Sequence, residues 1–201
     1  MKAILMSIKP KWVAKILNGE KTIEIRKKFP KDYVGWVYIY VTKNEGLLTT
    51  KKNEWGKTIY IVLPNDKHAF PSIHCLNGKV VARFNATAEE ISYLDSLDVF
   101  ATLKLGKSLM KRSCLTVDEM KTYLNGRNGT AIHINNLEIF DKPKEISEFY
   151  KLGFDVKEYN QAVFCLKNNV HYTFEPDEYL EKYQLTRAPE SFCYIEIWAE
   201  K

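Results

Sequence analysis

Four charged residues near the start of the sequence could form a ligand site. Lys9 precedes a short apolar segment, and Lys21, Glu24 and Arg26 follow it in the stretch NGEKTIEIRKKF (18–29). A carboxylate can accept a hydrogen bond from the exocyclic amine of a nucleobase, and an arginine can pair with a phosphate or stack on a ring. These residue types predict a charged cleft. The alternative is an exposed strand with an ordinary ion pair, because runs of charge usually form solvated surfaces.

Hydrophobic periodicity predicts the elements that position these residues. Residues 2–8 form an apolar run that predicts a strand. Pro10 then opens a segment whose apolar residues recur at helical spacing as far as Gly19, which can take the left-handed conformation that ends a helix. After this glycine the period changes to two, so two isoleucines point to one face of a strand while Glu24 and Arg26 point to the other.

Later segments rich in β-branched and aromatic residues predict further strands. They lie at 34–42, 57–63, 78–86, 130–140 and 192–199. Residues 36–41 are apolar on both faces, which predicts a central position in the sheet. Two polar segments, 43–56 and 64–77, contain Gly, Asn and Pro and are interpreted as surface loops.

The strand predicted at 130–140 contains a change of phase. Its apolar residues are even-numbered up to Ile134 and odd-numbered from Leu137 onward. This slip at 135–136 predicts a bulge or a sharp bend, of the kind that lets a sheet curl toward closure. We therefore expect a closed or half-closed barrel.

Helices are predicted in three later segments: 87–97, 116–125 and 176–184. Thr116 is a suitable N-cap for the second of them, and Glu119 completes a capping box. Strands still dominate, so the predicted class is α+β, with a mainly antiparallel β-barrel surrounded by short helices. We expect a single domain over 1–201, with insertions at 46–75 and 151–183.

The composition is that of an ordinary globular protein. Hydrophobic residues make up 45% of the chain and charged residues 27%. No apolar run approaches the roughly 20 residues of a membrane-spanning helix, and the N-terminal segment is too short for a signal peptide. These features predict a cytoplasmic protein without membrane contact. The formal net charge of +5 permits contact with nucleic acid but does not require it.

Other candidate chemistry has less support. The four cysteines contain no C-x-x-C pair, which predicts reduced and mostly buried thiols. His68 and His74 have a spacing that a metal could use, but no third ligand is evident nearby, so no metal is predicted. His133 is interpreted as a packed or solvent-facing residue of a strand. Neither a dinucleotide-binding glycine motif nor a Ser-His-Asp order is present, and no cofactor is expected.

Four stretches of sequence together carry a family resemblance. In chain order they are LMSIKPKWVAKILNGEKTIEIRKKF, GKVVARF, LNGRNGTAIHINNLEIFDKPKEI and RAPESFCYI. This combination resembles ASCH domains of the PUA-like superfamily, and prophage-type members in particular. It covers residues 2–45, 76–148 and 185–197. The resemblance implies a PUA-like β-barrel with a cleft, in a family proposed to bind RNA or modified nucleotides. Some small members are amidohydrolases that act on acetylated cytidine.

The resemblance also implies roles for single residues. Lys21 matches the lysine used by those hydrolases, but Glu24 stands where they have a catalytic threonine. Their catalytic glutamate would fall near Ser113, where this chain has no carboxylate. The terminal S-F-x-Y could supply a stacking platform for a base, although its aromatic rings could equally be core. The predicted ligand-binding residues are Lys9, Lys21, Glu24, Arg26, Ser191, Phe192 and Tyr194.

Three functions remain open at this point. The first is recognition of RNA or a modified nucleotide in the charged cleft. The second is a small amidohydrolase acting on an acylated nucleoside such as acetylated cytidine, with Lys21 and Glu24 as the catalytic proton-handling pair. The third is a protein-interaction adaptor in which the insertion at 151–183 provides the interface.

Overall fold

The computed structural model describes residues 1–43, 45–65, 74–91 and 104–197 of the 201-residue chain. Within these ranges the chain forms nine β-strands and five α-helices. The strands are β1 (Lys2–Ile8), β2 (Ile23–Arg26), β3 (Val34–Val41), β4 (Leu47–Lys52), β5 (Thr58–Leu63), β6 (Val80–Ile91), β7 (Gly129–Lys144), β8 (Tyr150–Lys151) and β9 (Phe192–Glu196). The helices are α1 (Pro10–Leu17), α2 (Lys104–Ser113), α3 (Val117–Leu124), α4 (Val156–Lys167) and α5 (Pro176–Tyr183), with a 3₁₀ turn at Ile146–Glu148.

A seven-stranded sheet forms the centre of the fold, in the order β2-β7-β6-β3-β1-β9-β8. Its neighbouring strands are antiparallel, except for the parallel pair β1 and β3. β3 occupies the middle of the sheet, as its two apolar faces predicted. The α+β class with a mostly antiparallel sheet is therefore confirmed.

The predicted closure of the sheet into a barrel is wrong. The edge strands β2 and β8 do not pair with each other in the described part of the chain. β8 contains two residues and β2 contains four. Neither edge therefore offers the long row of staggered backbone groups that closure of a barrel requires.

The segment 43–56, interpreted as a loop from its sequence, contains strand β4. This strand pairs with β5 to form a separate antiparallel hairpin, from Leu47 opposite Leu63 to Lys52 opposite Thr58. The first half of β4 is buried and its lysine-rich second half is exposed. Apolar and polar residues therefore do not alternate along β4, so hydrophobic periodicity does not predict this strand.

The bulge predicted at 135–136 is confirmed. Asn85 of β6 pairs with Asn135 of β7, whereas Arg83 pairs with Glu138. β7 thus carries one extra residue between these two pairs. Asn136 takes a positive φ of 48°, which asparagine tolerates better than most residues.

The helix predicted at 87–97 is wrong over its first part. Residues 87–91 form the end of β6, where Thr87 pairs with His133 and Ile91 with Gly129. The remainder of that segment lies outside the described residues. Three apolar positions at helical spacing are a weak signal, and pairing along a long neighbouring strand outweighs it.

The helices predicted at 116–125 and 176–184 are confirmed as α3 and α5. α3 begins with the predicted capping box: Thr116 Oγ1 accepts from the backbone N–H of Glu119 at 3.1 Å, and the Thr116 N–H donates to Glu119 Oε2 at 2.9 Å. The helix packs Met120 and Leu124 into a buried cluster with the isoleucines of β2. Its opposite face is thereby directed toward solvent.

We expect Thr116→Ala to lower the free energy of unfolding by about 1 kcal/mol, since it removes the acceptor for one N–H of the first helical turn. Urea denaturation measures this change. Thr116→Ser is the matched control, because serine retains the acceptor and should keep most of the stability. Equal stability of the alanine variant and the natural protein would show that the cap contributes nothing.

Candidate functional site

A pocket of about 620 Å³ lies between β2, the end of β1 and the polar face of α3. This volume is in the range of pockets that bind small molecules. The structure brings four of the residues singled out from the sequence into its lining: Lys9, Lys21, Glu24 and Arg26. Their proximity in the fold is thus observed, whereas their roles toward a ligand stay predictions.

The alternation of β2 directs its charged side chains to the pocket. Ile23 and Ile25 are 2% and 3% exposed and pack in the cluster that includes α3. Glu24 and Arg26 point to the other face of the strand. The turn before β2 contains Gly19 at a φ of 78°, which lets the chain reverse and brings Lys21 to the pocket wall.

Lys21, Glu24 and Arg26 form a buried charged network. Lys21 Nζ donates to the carbonyl oxygen of Ser113 at 2.6 Å and lies 3.4 Å from Glu24 Oε2. Glu24 Oε1 lies 3.0 Å from Arg26 Nε, and the Arg26 guanidinium donates to the carbonyl oxygen of Ser7 at 2.7 Å. Lys21 is 2% exposed and Glu24 is 6% exposed. The interpretation as an exposed strand with an ordinary ion pair is therefore wrong, because these charges are removed from solvent.

Three buried polar atoms at this pocket have no hydrogen-bond partner in the described part of the chain. They are Glu24 Oε2, Arg26 Nε and Thr42 Oγ1, and all three belong to residues that line the pocket. The two atoms in the charged network are within ion-pair distance of an opposite charge, but their geometry is not that of a hydrogen bond. Buried polar groups are paired in most native structures, so such a concentration at one pocket calls for an explanation.

Lys9 lies at the mouth of the pocket rather than in the buried network. It occupies the N-cap position of α1, where its carbonyl oxygen accepts from the N–H groups of Trp12 and Val13. Its ammonium pairs with Glu45 at 2.6 Å, and both side chains are 56% exposed. This pair is therefore solvated, unlike that of Lys21 and Glu24.

Two aromatic side chains line the pocket, and the sequence analysis did not assign either of them to the site. They are Trp12 of α1 and Tyr123 of α3. Lys21 Nζ lies 5.0 Å from the centroid of the Trp12 ring, within cation–π range. Tyr123 is 38% exposed, so its ring is accessible to a ligand.

The predicted stacking residues lie elsewhere. Phe192 and Tyr194 are on β9, do not line the pocket, and pack against the core beside β1. The Phe192 ring is 5.3 Å from that of Phe29, and the Tyr194 ring contacts the ammonium of Lys2 at 3.6 Å. Ser191 accepts from the backbone N–H of Ser7, which attaches this segment to β1. These positions agree with the alternative in which the two rings belong to the core.

Acidic residues from two other segments also line the pocket: Asp118 and Glu119 of α3, and Glu190 before β9. The backbone N–H of Thr116, which donates to the Glu119 carboxylate, lowers the pKa of that group, and Lys11 lowers it further against the opposing effect of burial. The positions 118, 119, 122 and 123 of α3 share one helix face. A polar and aromatic face on a predicted helix was the sequence signal for these residues.

Ser113 lies next to Lys21, but it contributes its backbone. Its carbonyl oxygen accepts from Lys21, while its hydroxyl donates to the carbonyl oxygen of Met110 at 3.2 Å. The residue is fully buried. The carboxylates available at this pocket therefore come from β2, α3 and the segment before β9.

The structure describes all four cysteines and three of the four histidines. All four cysteines are free; Cys165 is buried and the other three are partly buried, in agreement with the expectation of mostly buried thiols. Among the described residues, no group of three or more His, Cys, Asp or Glu side chains is placed to hold a metal ion. His68 lies outside those residues. His133 pairs with Glu89 at 2.8 Å on the strand surface. No helix in the described ranges is long and apolar enough to cross a membrane.

Comparison with known proteins gives a coarse structural similarity. No family model matches the sequence, and no curated protein matches it. A crystal structure of ASCH from Zymomonas mobilis aligns with 96% of this chain and 87% of its own, at 13% identity and a TM-score of 0.48. Two mutant forms of that protein align equally broadly, at 13% identity and TM-scores of 0.48 and 0.47. At 13% identity and these TM-scores, the similarity assigns no role to any pocket residue.

Proposed function

We propose that the pocket binds a nucleotide-like ligand and that the base contacts Glu24 and Arg26. The observation that carries this proposal is the set of buried atoms without a hydrogen-bond partner in three residues that line the pocket: a carboxylate acceptor, a guanidinium donor and the Thr42 hydroxyl, which can do both. Leaving a buried polar group unpaired costs about 1–3 kcal/mol. The edge of a nucleobase presents donors and acceptors side by side and can pair with such a set.

The charge of the lining supports a base or nucleoside rather than a chain of phosphates. Its basic residues are Lys9, Lys21 and Arg26, and its acidic residues are Glu24, Asp118, Glu119 and Glu190. The formal charge is therefore 3 − 4 = −1. Surfaces that follow a nucleic-acid backbone are positively charged. The phosphates of a nucleotide or an RNA would remain outside, where Lys27 and Lys28 are exposed directly after β2.

The two aromatic rings give the pocket a surface for the faces of a base. Trp12 and Tyr123 come from different helices and both line the pocket. Stacking on aromatic side chains contributes to the binding of all bases, whereas the polar atoms on the wall discriminate among them. This division assigns affinity to the rings and selectivity to Glu24, Arg26 and Thr42.

Isothermal titration calorimetry with free nucleosides tests the proposal at low and high salt. We expect at least one nucleoside, acetylated cytidine included, to bind with little dependence on salt. Arg26→Gln should weaken that binding by about tenfold or more, because a hydrogen bond to a charged group is lost. Arg127→Gln is the matched control, since Arg127 is exposed and does not line the pocket.

Two results would contradict this function. One is the absence of binding by every nucleoside tested. The other is an unchanged affinity in Arg26→Gln, provided that its thermal unfolding shows a folded protein. Binding of oligonucleotides alone, with steep salt dependence, would point to a phosphate-tracking surface instead of a base pocket.

A small amidohydrolase is the second candidate function. Lys21 and Glu24 provide a buried amine and a carboxylate 3.4 Å apart, and Asp118 adds a further carboxylate to the same pocket. Such a group of titratable residues in a cleft is suited to proton transfer. Release of acetate from acetylated cytidine would support this activity, and Lys21→Met should abolish it. Binding without release would favour the recognition function.

The other expectations from sequence stay predictions. They include the single-domain organisation over 1–201, the two insertions, the prophage association and the cytoplasmic location. The adaptor alternative also stays open, and α4 and the residues just after it expose three apolar side chains in the 151–183 segment: Phe164, Leu166 and Val170. Binding of a protein partner that survives Arg26→Gln would favour it.

A further inference from the structure

The tip of the β4-β5 hairpin presents an aromatic ring among lysines. This hairpin tip, residues 51–58, has the sequence KKNEWGKT and lies outside the pocket. Trp55 is 84% exposed, the highest value among the large exposed hydrophobic residues in the described part of the chain. Lys51, Lys52 and Lys57 are exposed beside it, and Glu54 is the one acidic residue of the segment.

The turn that carries Trp55 is ordered by its own hydrogen bonds. Asn53 Oδ1 accepts from the N–H groups of Trp55 at 3.1 Å and Lys57 at 2.9 Å. The Asn53 backbone also bonds to Gly56 and Lys57, and Gly56 takes a φ of 74° that suits glycine. The exposure of Trp55 is therefore a feature of a defined turn.

The hairpin is anchored to the domain at its base. Leu47 and Leu48 are buried, and the side-chain amide of Asn18 bonds both backbone groups of Tyr60, at 2.8 and 3.0 Å. Beyond this anchor, two further residue pairs, Lys51 with Ile59 and Lys52 with Thr58, lead to the turn. At about 3.3 Å per residue, the tip extends roughly 10 Å past the anchor.

We propose that the hairpin tip binds a single strand of nucleic acid, with Trp55 stacked on a base and the three lysines on neighbouring phosphates. An exposed indole offers a flat surface that any base can cover. Lys51 and Lys52 end β4, and Lys57 directly precedes β5, so the lysines flank the ring on both sides of the turn. Their charge supplies the sequence-independent attraction to phosphate.

The composition of the tip favours nucleic acid over a protein or a membrane. Tryptophan is enriched at protein interfaces, but lysine is depleted there, so a tryptophan among three lysines is not typical of a protein-binding surface. Insertion into a membrane surface requires a larger apolar area, whereas Trp55 is the one large apolar side chain among residues 51–58. One exposed ring flanked by three positive charges is the combination that binds a base and its phosphates in single-strand sites.

This surface is separate from the pocket, and its function does not depend on the proposed base site. Free nucleosides report on the pocket, because a single base without phosphates gains little from the lysines. Oligonucleotides report on the hairpin tip. If one proposal fails, the other can therefore still be tested with its own ligand, a nucleoside for the pocket or an oligonucleotide for the hairpin tip.

Fluorescence anisotropy with a labelled single-stranded RNA, and with the same strand as DNA, tests the proposal on the full chain. We expect Trp55→Ala to weaken binding by about tenfold. The triple variant Lys51→Gln, Lys52→Gln, Lys57→Gln should reduce the slope of log affinity against log salt by about 2. Phe164→Ala is the matched control, because Phe164 is a 60% exposed aromatic residue on α4. Nucleoside binding should be unchanged in all three variants.

Several outcomes would overturn the proposal. One is that the natural protein binds neither strand, and another is that Trp55→Ala and the lysine variant both bind with natural affinity. Binding to vesicles containing phosphatidylserine that is lost in Trp55→Ala, while strand binding persists, would assign the tip to a membrane surface. Equal losses of strand affinity in Phe164→Ala and Trp55→Ala would show that the effect is not specific to the hairpin tip.

Discussion

Glu24→Ala is expected to lower the free energy of unfolding by about 3–5 kcal/mol. The Glu24 carboxylate lies between Lys21, which is 2% exposed, and Arg26, whose side chain is 12% exposed. Removing the carboxylate leaves two positive charges close together with little access to solvent. The carbonyl oxygens of Ser113 and Ser7 would still accept from them but cannot neutralise their charge. Urea denaturation of the variant and the natural protein measures the difference.

A double-mutant cycle separates the charge effect from the loss of packing. Lys21→Met removes the more deeply buried charge, so Glu24→Ala combined with Lys21→Met should cost less than the sum of the two single variants, by about 0.5–3 kcal/mol. Glu90→Ala is the control for an exposed pair, because the Lys31–Glu90 pair lies in solvent. Its stability should be close to that of the natural protein. A similar small loss in Glu24→Ala would mean that the pocket network is solvated.

Leu124→Ala is expected to lower the free energy of unfolding by about 2–5 kcal/mol. Leu124 is fully buried in the cluster that joins α3 to β2, and its side chain lies where a Cβ on Gly129 would come within 2.8 Å. The substitution removes apolar surface from this cluster and leaves a cavity. Because α3 also carries Asp118 and Tyr123, nucleoside binding should weaken together with stability.

Leu166→Ala is the matched control for this second prediction. It makes the same change on α4, where Leu166 is 55% exposed, so the free energy of unfolding should change little. Denaturation curves of both variants provide the comparison. If Leu124→Ala were as stable as Leu166→Ala, the attachment of α3 to β2 would not depend on this cluster.

Much of the fold could be predicted because its signals are local. The alternation of Ile23 and Ile25 with Glu24 and Arg26 predicts which face of β2 is charged, and the sequence around Thr116 predicts the start of α3. The phase change at 135–136 predicts the bulge in β7. Each of these features depends on residues only a few positions apart in the sequence. Periodicity and capping chemistry are therefore sufficient to predict them.

The errors arose where distant segments decide the structure. Residues 87–91 belong to β6 because β7, about 40 residues later, pairs with them. β4 is a strand because β5 lies beside it, and closure of the sheet fails because its edge strands are short. Phe192 and Tyr194 have the same aromatic character as pocket residues, but pairing of β9 with β1 places them against the core.

The sequence by itself determined the central strand, the helix caps and the charged face formed by Lys21, Glu24 and Arg26, since these follow from residue types a few positions apart. Only the tertiary structure showed that this face is buried and that Trp12, Tyr123 and three further carboxylates join it. It also revealed the buried pocket atoms that lack a hydrogen bond and the ordered turn that carries Trp55. Whether a side chain is buried, and whether its polar atoms form hydrogen bonds, depends on contacts between segments that are distant in sequence. Local sequence patterns do not specify those contacts.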